Sequence, residues 1–340
     1  MPIVDVFNSK PFEMLDMVEA VNRLPYKPGQ IGALGLFTER GIATTHVAIE
    51  DRAGEISLIQ TSPRGGPPTQ HKSVKRTIYD TRIPHIAIAD TINADEVQGV
   101  RVFGTEGQLQ AIAQIRNDRL QEMADKLDVT LEHLMFGAMK GAVLDADGTT
   151  TIVNLFTLTG KSQAAEVDFQ FDSTTAGETI KLVSGMRRTM LNRLQADATL
   201  VSEIVVLGDA TFMDNLQNCK DFLDSYKFDS VSEMLRQARV FGELRWQGVR
   251  WIEHRLGSDL SGGSFLGTGK CIMFPAGPSI YRTYYSPGDY LDTVNTLGLP
   301  RYASSFVDPK NKYIELELQS NPLPICTRPE ALMKGDDGVA

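Results

Sequence analysis

Between Thr105 and Leu144 apolar residues recur at Leu109, Ile112, Leu120, Met123, Leu127, Leu131, Leu134 and Ala138, at spacings of three and four with one gap. Gln, Asn, Asp, Lys, Arg and Glu fill most positions between them, so the apolar residues form one stripe of an amphipathic helix. Unbroken from Thr105 to Lys140, that helix would extend roughly 50 Å, longer than a small domain is wide. At Asp128 a bend or a second helix start is expected, because its carboxylate can accept from nearby backbone N–H groups and the β-branched Val129 and Thr130 follow. So long a strut needs support from other segments.

Ahead of it, residues 11–21 carry Phe12, Leu15, Met17, Val18 and Val21 with Pro11 in the first turn, which predicts a short helix. LPYKPGQIGALGLF then reads as a loop or an extended arm, since two prolines and three glycines interrupt it. IATTHVAIE and EISLIQ are β-branched runs separated by DRAG, a cluster able to close a hairpin. TSPRGGPPTQHK denies regular structure, and VKRTIYDTRIPHIAIAD returns to strand propensity. Residues 37–92 are therefore read as a long two-stranded excursion with a flexible tip. A lone ribbon is only marginally stable in water, so it needs a surface to lie on.

Beyond the long helix, AVLDADGTTTIVNLF predicts a hairpin around Asp-Gly, and residues 178–194 a helix with Ile180, Val183, Met186, Met190, Leu191 and Leu194 on one side. SEIVVLGD reads as a buried strand, residues 210–226 and 230–239 as helical, FGELRWQGVRWIEHR as paired strands around Gly248, and SFLGTGKCIMFPAG as one more strand. Together these make a second, mixed α/β body without visible repeats.

With 42% hydrophobic residues, 340 residues can bury one large core or two moderate ones. Cys219, Cys271 and Cys326 are odd in number and widely spaced, against both a disulfide framework and a thiolate zinc site. No export signal and no apolar run long enough to span a membrane is seen. A net charge of -9 and a pI near 5.2 argue against a dedicated nucleic-acid binder. Within this acidic chain, Arg64, Lys72, Lys75, Arg76 and Arg82 crowd the second half of the excursion, relieved only by Asp80. Arg64, Lys72, Lys75 and Arg76 are expected to make inter-subunit contacts with an acidic surface of another copy, since complementary charge steers association and fixes register.

Catalytic signatures are missing. GGSFLGTGKC and LFTLTGKS each lack the leading Gly of a phosphate loop, and the first also has Cys271 where a hydroxyl is needed. Gly262, Gly263 and Ser264 begin a nucleophile elbow that Leu266 fails to close. Asp145, Asp147 and Gly148 suggest a calcium loop, but the sixth and twelfth positions are Thr150 and Phe156. His46, His71, His85, His133 and His254 are scattered. No catalytic residue, cofactor or metal is expected.

The C-terminal wording is specific. Thr283 to Asp289 (TYYSPGD), Asn295 to Pro300 (NTLGLP) and Gln319 to Pro329 (QSNPLPICTRP) closely resemble the closing segment of the lambda-type, family E major capsid proteins of tailed bacteriophages. The likeness extends back through Phe136 to Gly148 and Ile92 to Gly104, so it covers nearly the whole chain. It implies the Hong Kong 97-type capsid fold, an α+β arrangement. Residues 1–36 would be an N-terminal arm and 37–92 the extended β-hairpin loop. Residues 93–150 would be a peripheral domain with the spine helix, 151–300 an axial domain, and 301–340 a return to the peripheral domain. Asn295, Leu297 and Pro300 would mark where the chain leaves the axial domain.

The resemblance further implies a major capsid protein that self-assembles into hexamers and pentamers of an icosahedral shell. The shell would form in the host cytoplasm as a procapsid and expand around packaged double-stranded DNA. Scaffold, portal and decoration proteins are the implied partners. Weak, sequence-independent DNA contacts would fall to Lys181, Arg187, Arg188 and Arg193. Two other readings are an encapsulin-like compartment and an α/β enzyme using the loop at residues 262–270.

Overall fold

The computed structural model describes residues 14–23, 29–52, 76–97, 108–227, 243–254, 266–277, 280–310 and 312–339. The chain opens with α1 (Met14–Arg23), passes one 3-10 turn at Gly32–Leu34 and enters β1 (Phe37–Gly41). It leaves as β2 (His46–Arg52), returns as β3 (Arg76–Arg82) and continues through β4 (Ile86–Asn93) and α2 (Ala94–Val97) to α3 (Gln108–Lys140). β5 (Ala142–Leu144), β6 (Thr151–Asn154), α4 (Leu155–Thr159) and β7 (Val167–Asp168) follow. Next come α5 (Glu178–Leu194), β8 (Glu203–Gly208), α6 (Ala210–Asn218) and α7 (Lys220–Lys227). The last strands are β9 (Glu243–Trp246), β10 (Val249–Glu253), β11 (Lys270–Ala276), β12 (Tyr281–Tyr285), β13 (Tyr302–Val307), β14 (Tyr313–Ser320), β15 (Pro322–Cys326) and β16 (Met333–Asp336).

A six-stranded sheet ordered β7-β16-β11-β8-β10-β9 is apolar on both faces. Along β8, Ile204 and Val206 point into a core shared with α5 and α6, whereas Val205 and Leu207 point into a core shared with α3. In β11, Cys271 and Met273 likewise face away from Ile272 and Phe274. Strand residues alternate faces, so a strand covered on both sides reads as a continuous apolar run, which is how SEIVVLGD reads.

The long helix belongs to two cores. Its N-terminal part packs Leu120, Met123, Ala124 and Leu127 against Met17 and Val21 of α1 and against Ile314, Leu316 and Leu318 of a sheet ordered β13-β14-β4. Its C-terminal part places Leu131, Leu134, Met135, Phe136, Ala138 and Met139 in the core that also holds Val205, Leu207, Tyr281 and Ile325. The helix therefore ties the two sheets together, and the apolar stripe read from the sequence is the buried face. At its C-terminal end nearly every residue is buried, including Met135 and Met139 off that stripe.

Several expectations are revised. The helix runs through Asp128 as one 33-residue element instead of restarting there. Residues 29–37 of the stretch read as a loop or extended arm do not leave the body: Ile31 is buried in the main core and β1, which follows, pairs in parallel with β12. Asp51 and Arg52 of DRAG belong to β2, which pairs in register with β3, while the rest of DRAG and EISLIQ lie outside the described residues. The two-stranded excursion narrows to 46–82, because 37–41 and 86–93 belong to other sheets. Residues 301–340 divide among three sheets: β13 and β14 pair beside α3, β15 pairs with β12, and β16 pairs with β11 and β7 in the six-stranded sheet. Residues 55–60 and 230–239 lie outside the described residues.

Candidate assembly surface

Among the described residues, the β2–β3 ribbon is anchored through Val47, Ile49, Tyr79 and Ile83. His46↔Arg82 through Arg52↔Arg76 pair in register, Val47 and Ile83 sink into the main core, and the Tyr79 hydroxyl donates to the Thr159 carbonyl at 3.1 Å. Ile78, farther out, is exposed. Of the four basic residues expected at inter-subunit contacts, Arg76 opens β3 opposite Arg52, while Arg64, Lys72 and Lys75 lie outside the described residues.

Two buried polar nodes hold the body behind the ribbon. Glu132, on α3, accepts from the backbone N–H of Ile31 and, at 3.0 Å, from that of Gly32. Gln30 donates to the Glu253 carbonyl at 2.5 Å, so residues 29–35 are pinned to both the long helix and the six-stranded sheet. Burial raises the Glu132 carboxyl above its usual range, and the two backbone donors partly oppose that rise. Gly29 sits where a Cβ would overlap the Glu132 carboxylate, so only glycine allows this approach.

One turn earlier on α3, Asp128 forms an ion pair of 2.5 Å with Arg301, with both side chains under 10% exposed. Arg301 also donates to the Val21 carbonyl, and Asn22 donates to the Arg301 carbonyl at 2.9 Å. Asp128, which the sequence marked as a place to break the helix, instead joins α1, α3 and the start of β13. Nothing local signals this, because Arg301 is 173 residues away.

The candidate DNA-binding residues on α5 separate. Arg187 donates to the Gln247 carbonyl at 2.8 Å, and Arg193 to the carbonyls of Ser162 and Glu330 at 2.9 and 3.2 Å. Lys181 and Arg188 are exposed. The two arginines thus cap backbone within the chain, and only the other pair presents charge outward.

The near-miss motifs have structural tasks. Gly160 of LFTLTGKS caps the C-terminus of α4, whereas phosphates are held at helix N-termini. Lys270 pairs with Glu166 and Asp336 at 3.1 and 3.2 Å. Asp147 accepts from the Thr149 and Thr150 amides and the Thr150 hydroxyl, which pull its carboxyl far below the usual range. No cluster of metal-ligating side chains occurs among the described residues, and none of their helices is long and apolar enough to cross a membrane.

His254 follows β10 directly, with its ring 5.0 Å from that of Phe136 on α3. Burial pushes its pKa down to about 4; Asp209 opposes the shift and Lys140 reinforces it. An unfolded His titrates near 6.5, so this group's stabilising contribution is complete above that value and declines as pH falls from about 6.5 towards 4. Acidifying from pH 7.5 to 5 should cost about 2 kcal/mol through this group. A urea series at both pH values should show a smaller acid loss in His254→Phe than in the parent; equal losses would contradict this assignment.

An α+β body with a double-faced sheet, a long helix bridging two cores and a separate two-stranded ribbon is the architecture of a capsid subunit of the Hong Kong 97 type. A prophage protein of Escherichia coli CFT073, solved as a candidate capsid protein, has this fold: the TM-score is 0.59 at 13% identity, covering 95% of this chain and 98% of that one. Residues 13–336 match the model of the family described as phage major capsid protein E, and the chain belongs to that family. It is 24% identical over 355 residues to the major capsid protein of Pseudomonas phage KPP10, covering 98% of this chain and 99% of the relative. It is 25% identical over 358 residues to that of Salmonella phage Felix O1 (isolate Felix O1-VT1), covering 95% of each.

Proposed function

We propose that this chain is the repeating subunit of a phage head: it self-assembles into hexamers and pentamers, builds a closed icosahedral shell, and encloses double-stranded DNA after expansion from a procapsid. The family match across residues 13–336 carries this reading. Its task is structural, without catalysis, and its location is the virion capsid after assembly in the host cytoplasm. Scaffold, portal and decoration proteins are its expected partners. In this assignment residues 46–82 form the extended loop, α3 with the β13-β14-β4 sheet the peripheral domain, and the six-stranded sheet with α5 and α6 the axial domain. Negative-stain microscopy and mass photometry of the purified chain should reveal capsomers, tubes or shells. If only monomer appears even in cells that also express the phage's other head proteins, the reading fails.

Arg64, Lys72, Lys75 and Arg76 serve in this proposal as the charged half of an inter-subunit contact made by the extended loop. Support comes from their place in the segment that joins β2 to β3, with Arg76 opening β3, and from the charge contrast with an acidic chain. Reversing all four to Glu should abolish assembly while leaving the far-ultraviolet circular dichroism and melting of the isolated subunit nearly unchanged. Unaltered assembly with unaltered salt dependence would refute the contact. Lys181 and Arg188 are proposed as weak, sequence-independent contacts to packaged DNA, supported by their exposure on α5.

A further inference from the structure

Between β12 and β13 the chain presents an apolar knob. Leu291 is 93% exposed, Leu297 68% and Val294 61%, with Leu299 beside them and Asp289 and Asp292 also facing solvent. Such side chains are normally hidden, and leaving each in water forgoes about 1.5–3 kcal/mol of burial.

This loop is held in one shape. Thr293 donates to the carbonyls of Gly288 and Tyr290 at 2.6 and 2.9 Å, and Thr296 donates to that of Thr293 at 2.7 Å. Leu299 N–H donates to the Tyr302 hydroxyl at 2.7 Å, and Gly298 N–H to the Ile42 carbonyl at 2.9 Å. A Cβ on Gly298 would collide with the Tyr285 carbonyl, and Asn295 holds φ at +61°. A pre-shaped apolar surface loses little entropy when it docks.

A second exposed patch lies at the other end of the same sheet. The knob is fastened to Tyr302, the first residue of β13; Phe306 lies four residues along that strand, roughly 13 Å away, and is 46% exposed. Tyr313, at the start of β14, is diagonal to Phe306 on the same face, because Phe306 pairs with Glu315 and the faces alternate. Lys310 and Lys312, both exposed, flank this aromatic pair; the half-buried Asp308, which accepts from their backbone N–H groups, and Glu315, opposite Phe306, are less exposed than the two lysines. The knob is thus aliphatic with two exposed acids, and the far end of the sheet aromatic with two exposed lysines.

Given the shell function proposed above, we infer that the aliphatic, acidic knob of one copy seats on the aromatic, lysine-flanked end of the β13–β14 sheet of the next copy. Two different patches make this a heterologous contact, which repeats from copy to copy and closes into a ring when the rotation allows. Apolar complementarity supplies its affinity, and Asp289 and Asp292 against Lys310 and Lys312 set its direction.

Site-directed cross-linking tests it. The native cysteines are all buried, so background reaction should be low. Particles or capsomers of the full-length Leu291→Cys/Phe306→Cys variant, treated with a short bis-maleimide, should give a ladder of covalent oligomers on denaturing gels. Co-assembled single variants should give dimers only. In parallel, Asp289→Lys/Asp292→Lys and Lys310→Glu/Lys312→Glu should each lose assembly, and the four-fold variant should regain it. Assembled particles without a ladder, or without charge rescue, overturn the knob contact and leave the shell function standing. A chain that never assembles overturns both.

Discussion

Replacing Arg301 with Met is expected to destabilise the subunit by about 3–5 kcal/mol, the largest single-substitution effect at either buried polar node, because it leaves the Asp128 carboxylate buried without its counter-ion. The pair is 2.5 Å apart and both side chains are under 10% exposed, so water can screen neither charge. Arg301 also supplies a donor to the Val21 carbonyl, and its loss loosens α1 from α3. Asp128→Asn should cost less, since an amide can still accept from Arg301. Asp128→Leu/Arg301→Met should recover most of the single-variant loss, as removing both charges also removes their desolvation penalty. Urea midpoints of the isolated subunit report these differences. Hydrogen exchange should localise the Arg301→Met effect to residues 14–23 and 120–131. A loss below about 0.5 kcal/mol, of the size expected at an ordinary surface position, would contradict the node.

The second large effect is expected at Glu132. Glu132→Ala strands the Ile31 and Gly32 N–H groups in a buried site, at about 1–3 kcal/mol per unsatisfied donor less the relief of no longer burying a carboxylate. A net loss of about 2–4 kcal/mol follows. Glu132→Gln keeps one acceptor but turns an NH2 towards the second donor, so it should fall between Ala and the parent. The damage should be directional: residues 29–41 should exchange faster and become cleavable, while the six-stranded sheet keeps its protection. Because burial raises the Glu132 pKa, the native state holds this proton more tightly than the unfolded chain does. The parent's stability at this group therefore falls as pH rises from the unfolded carboxylate range through the raised value, a dependence that both variants should lose. Equal protease resistance of the 29–41 segment in Ala and parent would rule out the clamp.

Both nodes couple elements that a shell must keep aligned. Asp128–Arg301 joins α1, α3 and β13; Glu132 joins the 29–35 segment to α3 just one turn away. Changes in subunit shape during the proposed expansion would have to repack around this stretch of helix, which is buried on several sides, or move it as a rigid unit. A hinge at Asp128 becomes less favourable once its carboxylate is engaged with Arg301. A procapsid subunit with α3 bent at Asp128 and the ion pair broken would show the opposite.

Elements governed by short-range pattern were legible from the sequence. The apolar stripe of α3, the residue 178–194 helix, the hairpin at Asp147-Gly148 and the turn at Gly248 follow from periodicity and from backbone freedom at glycine, and they appear at or within a few residues of their expected places. The family wording likewise lies in contiguous residues, TYYSPGD and NTLGLP among them. What stayed hidden depends on partners far apart in the chain. Asp128 could not be told from a helix breaker without Arg301, nor Glu132 from a surface acid without Ile31 and Gly32. Arg187 and Arg193 read as a basic face until the carbonyls of Gln247, Ser162 and Glu330 arrived to occupy them. Glycines and prolines in residues 25–35 announced only that the backbone would be irregular, and the buried carboxylate decided that residues 29–35 would be packed. Local sequence determined which segments become helix or strand, because propensity and periodicity act over a few residues. Only the tertiary structure decided which charges are buried and paired and which apolar residues remain outside, because burial is a property of the whole packed chain.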